Sequence, residues 1–151
     1  MKITPRKINL FMLYKLPSAY FCGVRVASIS DEKAAVKVKH RWINQNPFNS
    51  LYWAVQGMAS EFASGILVMQ EIKKSDRKIS MLVTRQEGKF LKKATGKITF
   101  ECNDGIIIKE TIEKSIDTGE GQIIHLKTQG FDASGDVVSE FIYEWSIKVK
   151  K

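Results

Sequence analysis

The sequence predicts an α+β fold in which a curved antiparallel sheet of five to six strands wraps one long central helix. Residues 47–70 place apolar side chains on nearly every side of a helix, which predicts a helix that is buried all round. Six other segments alternate apolar and polar residues with the period of two that is typical of strands. A helix without a polar face must be enclosed. A rolled sheet of this size encloses it on one side and leaves the other side open to a second subunit.

The length and composition fit a single domain over residues 1–151. Hydrophobic residues make up 44% and charged residues 26% of the chain, which is ordinary for a globular protein and argues against disorder. The net charge of +8 raises the chance of an anionic partner. The basic residues form no recognisable nucleic-acid motif, so nucleic acid is not an expected partner, and a phosphate-bearing small molecule fits equally well.

The amino terminus predicts a short helix at about residues 5–16, packed as a lid. Pro5 suits the first turn of a helix, and Pro17 ends it. Basic residues ahead of the apolar residues 8–14 resemble a signal sequence, but Lys15 and Pro17 interrupt the run and no cleavage pattern follows. No apolar run approaches the roughly 20 residues that cross a bilayer. We therefore expect no membrane span.

The remaining elements follow from their periodicity. Residues 41–49 form an asparagine-rich loop, and Pro47 with Asn49 or Ser50 is the predicted start of the long helix. Residues 104–116 fit either a strand or a helix, and their charge spacing favours an amphipathic helix. Strands are predicted at residues 22–30, 34–40, 79–85, 95–102, 122–131 and 137–149.

Glu61 is the one charged residue in the long helix and the first candidate for a functional side chain. A buried carboxylate costs several kcal/mol unless it is paired, protonated or used. Its neighbours one helical turn away include Gly57, Ser64 and Gly65, whose small side chains allow a ligand or another backbone to approach. Two interpretations stay open, namely a structural ion pair with a Lys or Arg and a functional carboxylate.

Other catalytic or metal-binding patterns are weak. Cys22 and Cys102 are far apart and belong to no CxxC motif or His/Cys cluster, so we expect free thiols and no metal site. A reduced, cytoplasmic location is the expectation that follows. His40 ends a predicted strand and His125 lies inside one, which is typical of structural or surface histidines. The sequence contains no phosphate loop, dinucleotide fingerprint or nucleophile elbow.

The predicted fold and the NPFNSLY stretch at residues 46–52 resemble the hotdog fold of the acyl-CoA thioesterases, and within it the small-thioesterase branch. The resemblance spans about residues 16–149. In that branch an asparagine precedes a His-Gly-Gly sequence by six residues, and an acidic residue follows the histidine by nine. With Glu61 at the acidic position, Asn46 matches the asparagine. The residues at the His-Gly-Gly positions are then Tyr52, Trp53 and Ala54.

The resemblance implies a role for each matched residue. Glu61 would be the base or nucleophile, Asn46 would position the reactants, and the amide of Trp53 or Ala54 would polarise the thioester carbonyl. In the FLKKATG segment at residues 90–96, Lys92 and Lys93 would meet the phosphates of coenzyme A, which enters only as part of the substrate. Two copies would share the site, as a homodimer or a dimer of dimers.

Two departures from the family pattern support an alternative function. Tyr52 replaces the histidine, and Trp53 brings a large side chain where the family has glycine. The alternative is a protein of the same fold that binds a fatty-acyl ligand without hydrolysing it. A third hypothesis, an RNA-binding or purely assembling protein, depends on the positive charge alone.

Overall fold

The fold consists of four helices, a short 3₁₀ turn and six strands in a computed structural model that describes residues 3–150. The long helix and the sheet form the predicted α+β arrangement. In chain order the elements are α1 (Pro5–Lys15), α2 (Pro17–Phe21), β1 (Arg25–Ile29), β2 (Ala34–Lys39), the 3₁₀ turn (Trp42–Asn44), α3 (Trp53–Ser75), β3 (Ile79–Phe90), β4 (Lys97–Cys102), α4 (Gly105–Thr118), β5 (Gln122–Phe131) and β6 (Val137–Val149).

The strands form one antiparallel sheet in the order β1-β2-β4-β5-β6-β3. The helix α3 contacts all six strands, so the predicted enclosure of the central helix by a sheet is confirmed. Although β3 follows α3 directly in the chain, it lies at one edge of the sheet and pairs only with β6. Its half-buried inner face carries Ile79, Met81 and Val83. The other edge of β3 is free of any partner strand within residues 3–150.

The predicted start of the long helix near Pro47, Asn49 or Ser50 is wrong, because α3 begins at Trp53. Residues 46–50 instead form a tight turn in which the Asn46 amide donates to the Ser50 carbonyl at 2.8 Å. Asn49 adopts a left-handed conformation, with φ of 57°, that a helix cannot contain. The helix ends at Ser75, followed by Asp76 in a left-handed cap.

The helix α3 is also less completely buried than predicted. Most of its side chains are enclosed, but one stripe is only half-buried, and we call it the open stripe. Its members recur at helical spacing, so they share one face of α3. The open stripe comprises Ala54, Gly57, Met58, Glu61, Met69 and Ile72.

The amino-terminal helix α1 is fixed to the sheet at the edge strand β1. The Asn9 side chain donates to the Val26 carbonyl at 3.1 Å and accepts from the Val26 amide at 2.8 Å. Ile8 and Met12 are buried beneath it. The helix thus satisfies backbone groups of an edge strand that would otherwise be exposed.

The helix α4 confirms the helical interpretation of residues 104–116. It packs against α3, β5 and β6, with Ile108 and Ile112 buried. A β-carbon at Gly105 would collide with the backbone of Asp31 and Glu32, because the start of α4 lies directly on the β1–β2 turn. Glycine is therefore required there.

Both cysteines are free thiols in different environments. Cys22 is half-buried, whereas Cys102 is fully buried in β4. Burial is the main reason that the pKa of the Cys102 thiol rises to about 12. Within the described part of the chain, no helix combines the length and the apolar character that crossing a membrane requires.

Candidate active site

The Glu61 carboxylate lies unpaired in the middle of the open stripe. No side chain or backbone group of residues 3–150 donates a hydrogen bond to it, and no Lys or Arg forms an ion pair with it. Burial alone raises the pKa of Glu61 from its usual 4.5 to about 7. The structural ion pair, one of the two interpretations left open, is thus absent among residues 3–150, and the acid is poised to change protonation near neutral pH.

The surroundings of Glu61 are small or aromatic. A β-carbon added at Gly65 would lie 3.4 Å from Glu61 Oε1 and 3.2 Å from Trp145 Cη2, so the carboxylate lies against bare backbone beside an indole ring. Burial raises the pKa of Tyr143, and the negative charge of Glu61 raises it further, which places that phenol nearby. Val83 of β3 is the cross-strand neighbour of Trp145. Glu61 therefore lies on the side of α3 where β6 meets the edge strand β3.

A row of buried hydrogen bonds, which we call the polar seam, fixes the rotation of α3 on the sheet. Ser139 donates to Gln56 Oε1 at 2.7 Å. The hydroxyls of Ser60 and Tyr143 are 2.6 Å apart, and Trp145 donates to Ser64 Oγ at 3.3 Å. These helix residues recur every fourth position, so the residue after each one, at positions 57, 61 and 65, is turned to the same side. The seam comprises Gln56, Ser60 and Ser64 of α3 with Ser139, Tyr143 and Trp145 of β6.

Sequence reasoning missed the polar seam. In the sequence, Ser60 stands out only as a nucleophile without a histidine partner, and its actual partner is Tyr143. A signal was present, because Gln56, Ser60 and Ser64 are polar residues at i, i+4 and i+8 in an otherwise apolar helix. Nothing in the sequence identifies the strand that they contact.

The start of α3 offers unpaired backbone donors. The amides of Val55 and Gln56 both donate to the Tyr52 carbonyl, at 3.0 and 3.2 Å. The amides of Trp53 and Ala54 have no hydrogen-bond acceptor among residues 3–150. Free amides in the first turn, reinforced by the helix dipole, form a site for negative charge.

Beside these donors lies a cavity of about 500 Å³. The Tyr52 and Trp53 rings border it, and their centroids are 5.8 Å apart in an edge-to-face arrangement. The cavity lies between the start of α3 and the segment that follows β3. We call it the helix-start cavity, and it is lined among others by Asn46, Phe48, Tyr52, Trp53, Lys92 and Lys93.

The predicted polar residues of this cavity are partly engaged already. The Asn46 side-chain oxygen accepts from the Phe48 amide at 2.9 Å and from the Ser50 amide at 3.3 Å, so Asn46 organises its own turn. Lys92 lies between two carboxylates, 2.6 Å from Asp132 and 2.8 Å from Asp136. Its ammonium group is thereby paired within the chain.

Lys93 makes fewer interactions than Lys92. Its ammonium donates to the Phe48 carbonyl at 3.3 Å and has no carboxylate partner among the described residues. Lys93 therefore keeps a free positive charge beside the helix-start cavity.

One chain does not bring all predicted site residues together. Asn46, Tyr52, Trp53, Lys92 and Lys93 surround the helix-start cavity, whereas neither Ala54 nor Glu61 contributes to its lining. Eight residues separate Trp53 from Glu61, which is about 12 Å along the helix axis. The acid and the free amides of a single chain thus face different spaces.

The two histidines lie apart from this region. His125 is exposed and pairs with Glu144 at 2.9 Å. The Nε2 atom of His40 is buried without a hydrogen-bond partner in the described chain. Within residues 3–150, no three His, Cys, Asp or Glu side chains gather in a way that could hold a metal ion.

Comparison with known proteins identifies the fold. A family model described as Domain of unknown function (DUF4442) matches residues 5–147. No curated protein matches the sequence. A probable thioesterase of unknown function from Pseudomonas aeruginosa has a TM-score of 0.82 at 18% identity and covers 97% of each chain. A protein of unknown function from Chlorobaculum tepidum has a TM-score of 0.80 at 16% identity, over 97% of this chain and 98% of the other.

A thioesterase from Haemophilus influenzae also has this fold, with a TM-score of 0.73 at 11% identity over 99% of this chain and 93% of the other. At such identities the likeness establishes the fold and not the activity. The fold is therefore the hotdog fold, and the resemblance drawn from the sequence is confirmed at the level of the fold.

Proposed function

The chain belongs to the DUF4442 family, and we propose that it hydrolyses acyl thioesters with Glu61 as its catalytic carboxylate. The observation that carries this proposal is the unpaired Glu61 carboxyl, whose pKa burial raises to about 7. A general base works best when its pKa lies near the working pH. A buried carboxyl without a partner lowers the stability of the fold. Such a group is therefore more often found where it has a function.

The reaction needs a base and a stabilised oxyanion. In the proposed step Glu61 takes a proton from water as the water oxygen attacks the thioester carbonyl. The amides of Trp53 and Ala54 donate hydrogen bonds to the carbonyl oxygen and stabilise the negative charge that develops on it. The carbon–sulfur bond then breaks, and the departing thiolate takes the proton from Glu61 to leave a carboxylic acid and a thiol. Direct attack by the Glu61 carboxylate, followed by hydrolysis of the anhydride, is the other route.

Two copies of the chain would complete the site. The open stripe of α3 between Ala54 and Glu61 and the unpartnered edge of β3 lie on the same side of the molecule and offer a surface to a second copy. An antiparallel arrangement of two α3 helices would bring Glu61 of one copy towards the helix start of the other. The carboxylate and the free amides, which are about 12 Å apart along the helix of one chain, would then meet across the dimer. We therefore propose a homodimer, alone or as a dimer of dimers.

The helix-start cavity is the proposed site for the coenzyme A portion of the substrate. Its lining combines aromatic rings with basic residues, which suits a ligand that has both a ring system and phosphates. Because Lys92 is ion-paired with Asp132 and Asp136, Lys93 is the better candidate for a phosphate contact.

Binding without hydrolysis is the alternative function, and the aromatic lining of the helix-start cavity favours it. Tyr52 and Trp53 border the space beside the free amides. An acyl ligand could then stack on these rings without reaching the amides in a reactive geometry.

A set of acyl-CoA esters of different chain lengths tests the proposal. We expect hydrolysis by the native protein, and loss of about 10²-fold or more in Glu61→Gln, because the base is removed while its shape is kept. Glu71→Gln, on the same helix but in an ion pair with Lys74, is the control and should keep full turnover. Equal turnover in Glu61→Gln would contradict the proposed site. A bound lipid in a protein that splits no ester would select the alternative.

The two free cysteines support a cytoplasmic location. Cys22 and Cys102 are free thiols, which is the usual state of cysteines in the reducing cytoplasm. We therefore place the protein in the cytoplasm, where acyl-CoA esters are also available as substrates.

A further inference from the structure

A second cavity, separate from the candidate active site, lies under the amino-terminal helix. It has a volume of about 480 Å³, opens to solvent, and is bordered by α1, the carboxyl-terminal half of α3 and the first residues of β3. We call it the α1 cavity. Its apolar lining includes Ile8, Phe11, Ile66, Met69, Ile72 and Met81.

The lining of the α1 cavity has a simple chemistry. Eight of the ten residues that border it are apolar, and the other two are Lys7 and Lys73. Within the described chain, the apolar walls offer no side-chain group that could recognise a polar ligand. A hydrocarbon chain is the ligand that such walls favour.

The two lysines supply a positive charge at the solvent edge of the cavity. Both side chains are exposed, and neither makes an ion pair or side-chain hydrogen bond with another residue of the described range. Lys74, the next residue along α3, differs from them because it pairs with Asp31 at 2.8 Å and with Glu71 at 3.2 Å. Lys7 and Lys73 thus keep their charge for a ligand.

We propose that the α1 cavity binds a free fatty acid of medium chain length. Its hydrocarbon chain lies along Ile66, Met69 and Ile72, and its carboxylate lies between Lys7 and Lys73. The charge complementarity at the cavity edge selects an anionic amphiphile over a neutral or cationic one.

The dimensions of the cavity fit this ligand. Its volume lies within the range of about 300–1,000 Å³ that small-molecule sites occupy. From Ile66 to Lys73 the wall of α3 runs seven residues, or about 10 Å along the axis. Extended chains advance by about 3.6 Å for every three bonds, so this wall lies along about eight or nine of the eleven carbon–carbon bonds of a twelve-carbon acid.

The proposed site does not depend on thioester hydrolysis. Glu61 and the helix-start residues lie outside the lining of the α1 cavity. Loss of the active-site carboxylate should therefore leave fatty-acid binding unchanged.

Titration calorimetry with dodecanoate tests the charged end of the site. We expect saturable binding of about one dodecanoate per chain and no binding of dodecyltrimethylammonium, which has the same tail and the opposite charge. Lys7→Gln and Lys73→Gln should each weaken binding about fivefold, the effect of losing one exposed charge contact. Lys74→Gln is the matched control and should bind like the native protein. Equal binding by the native protein and by the double variant Lys7→Gln/Lys73→Gln would overturn the proposal.

A second pair of variants tests the apolar end. Met69→Trp fills the cavity and should abolish dodecanoate binding, whereas Leu10→Trp, on the exposed face of α1, should not. Glu61→Gln should bind dodecanoate normally even if it hydrolyses nothing, which separates failure of this proposal from failure of the proposed function. Absence of dodecanoate binding in the native protein would overturn the inference. A change in oligomeric mass in Met69→Trp, without fatty-acid binding in the native protein, would show that a second copy covers the cavity.

Discussion

At the scale of single residues, Glu61 dominates both the energetics and the proposed chemistry. It was identifiable from the sequence because it is the one charged residue in the apolar stretch at residues 47–70. Its lack of a partner was not identifiable, since 24 Lys and Arg residues could have supplied one. The structure removes that possibility within the described chain and leaves a carboxyl with a pKa of about 7.

The raised pKa of Glu61 has a consequence for stability. Between about pH 4.5 and 7 the folded protein keeps a proton that the unfolded chain has lost, so the free energy of unfolding falls as the pH rises through this window. Glu61→Gln removes this titration. Relative to the native protein, the variant should gain almost nothing at pH 4 and up to about 3 kcal/mol at pH 8. Urea denaturation across this pH range measures the difference, and a constant difference between the two proteins would contradict the assignment.

The same carboxyl sets the pH dependence of turnover. If Glu61 is the base, kcat/KM should rise with pH and level off above about 7, because only the ionised carboxylate accepts a proton. A pH–rate profile with an acyl-CoA ester measures this. A profile that is flat from pH 5 to 9 would argue against a titrating base at this position.

At the scale of elements, the sequence predicted regular structure better than its boundaries. Strands with one buried face alternate clearly, so β4, β5 and β6 lie close to their predicted ranges. The end of β3 was missed, because residues 84–90 are exposed on both faces and carry no alternation. The start of α3 was missed because the turn at Asn46 and Ser50 depends on side-chain hydrogen bonds that imitate a helix cap in sequence.

Two glycines of α3 offer a matched pair of substitutions. A β-carbon at Gly57 would meet no heavy atom within 4 Å, so Gly57→Ala should stabilise the protein by about 0.5–1 kcal/mol. A β-carbon at Gly65 would crowd Trp145 and Glu61, so Gly65→Ala should gain less or lose stability. Thermal unfolding measures both. Because Gly57 lies one turn from Glu61 on the open stripe, we also expect Gly57→Ala to lower turnover despite its greater stability.

The polar seam should stabilise the packing of α3 on β6 and so raise the free energy of unfolding. Tyr143→Phe removes a buried hydroxyl that bonds Ser60 and the Gly57 carbonyl, and should cost about 1–2 kcal/mol of unfolding free energy. Tyr14→Phe is the control, since its ring is 73% exposed and the change should stay within about 0.5 kcal/mol. Urea denaturation of both variants measures the contrast. Equal losses would mean that the seam adds nothing to stability.

At the scale of the whole molecule, the proposed site requires two copies, and hybrid dimers test this. Trp53→Pro removes one oxyanion donor and should fold, because proline is tolerated at the first helical position and Tyr52 before it is extended. Trp53→Ala, which removes the ring and keeps the amide, is its control. Alone, Trp53→Pro and Glu61→Gln should each lose about 10²-fold in turnover.

Mixing these two inactive variants after partial unfolding should restore activity. Half of the dimers would be hybrids with one intact site of two, so an equal mixture should recover about a quarter of native turnover. If the base and the donor came from the same chain, no mixture would recover activity. The sequence alone suggested a second copy, because a sheet of this size covers an apolar helix on one side only. The sequence could not locate the free edge of β3, which depends on the order of strands in the sheet.

The contrast between the two thiols makes this chain convenient for spectroscopy. Only a thiolate reacts readily with maleimide or methanethiosulfonate reagents, and the thiol in β4 is both inaccessible and hard to ionise. Cys22 should thus take a single nitroxide or fluorophore per chain without any engineered mutation. Pulsed electron paramagnetic resonance on such a sample would then give a spin–spin distance between protomers of the unaltered sequence.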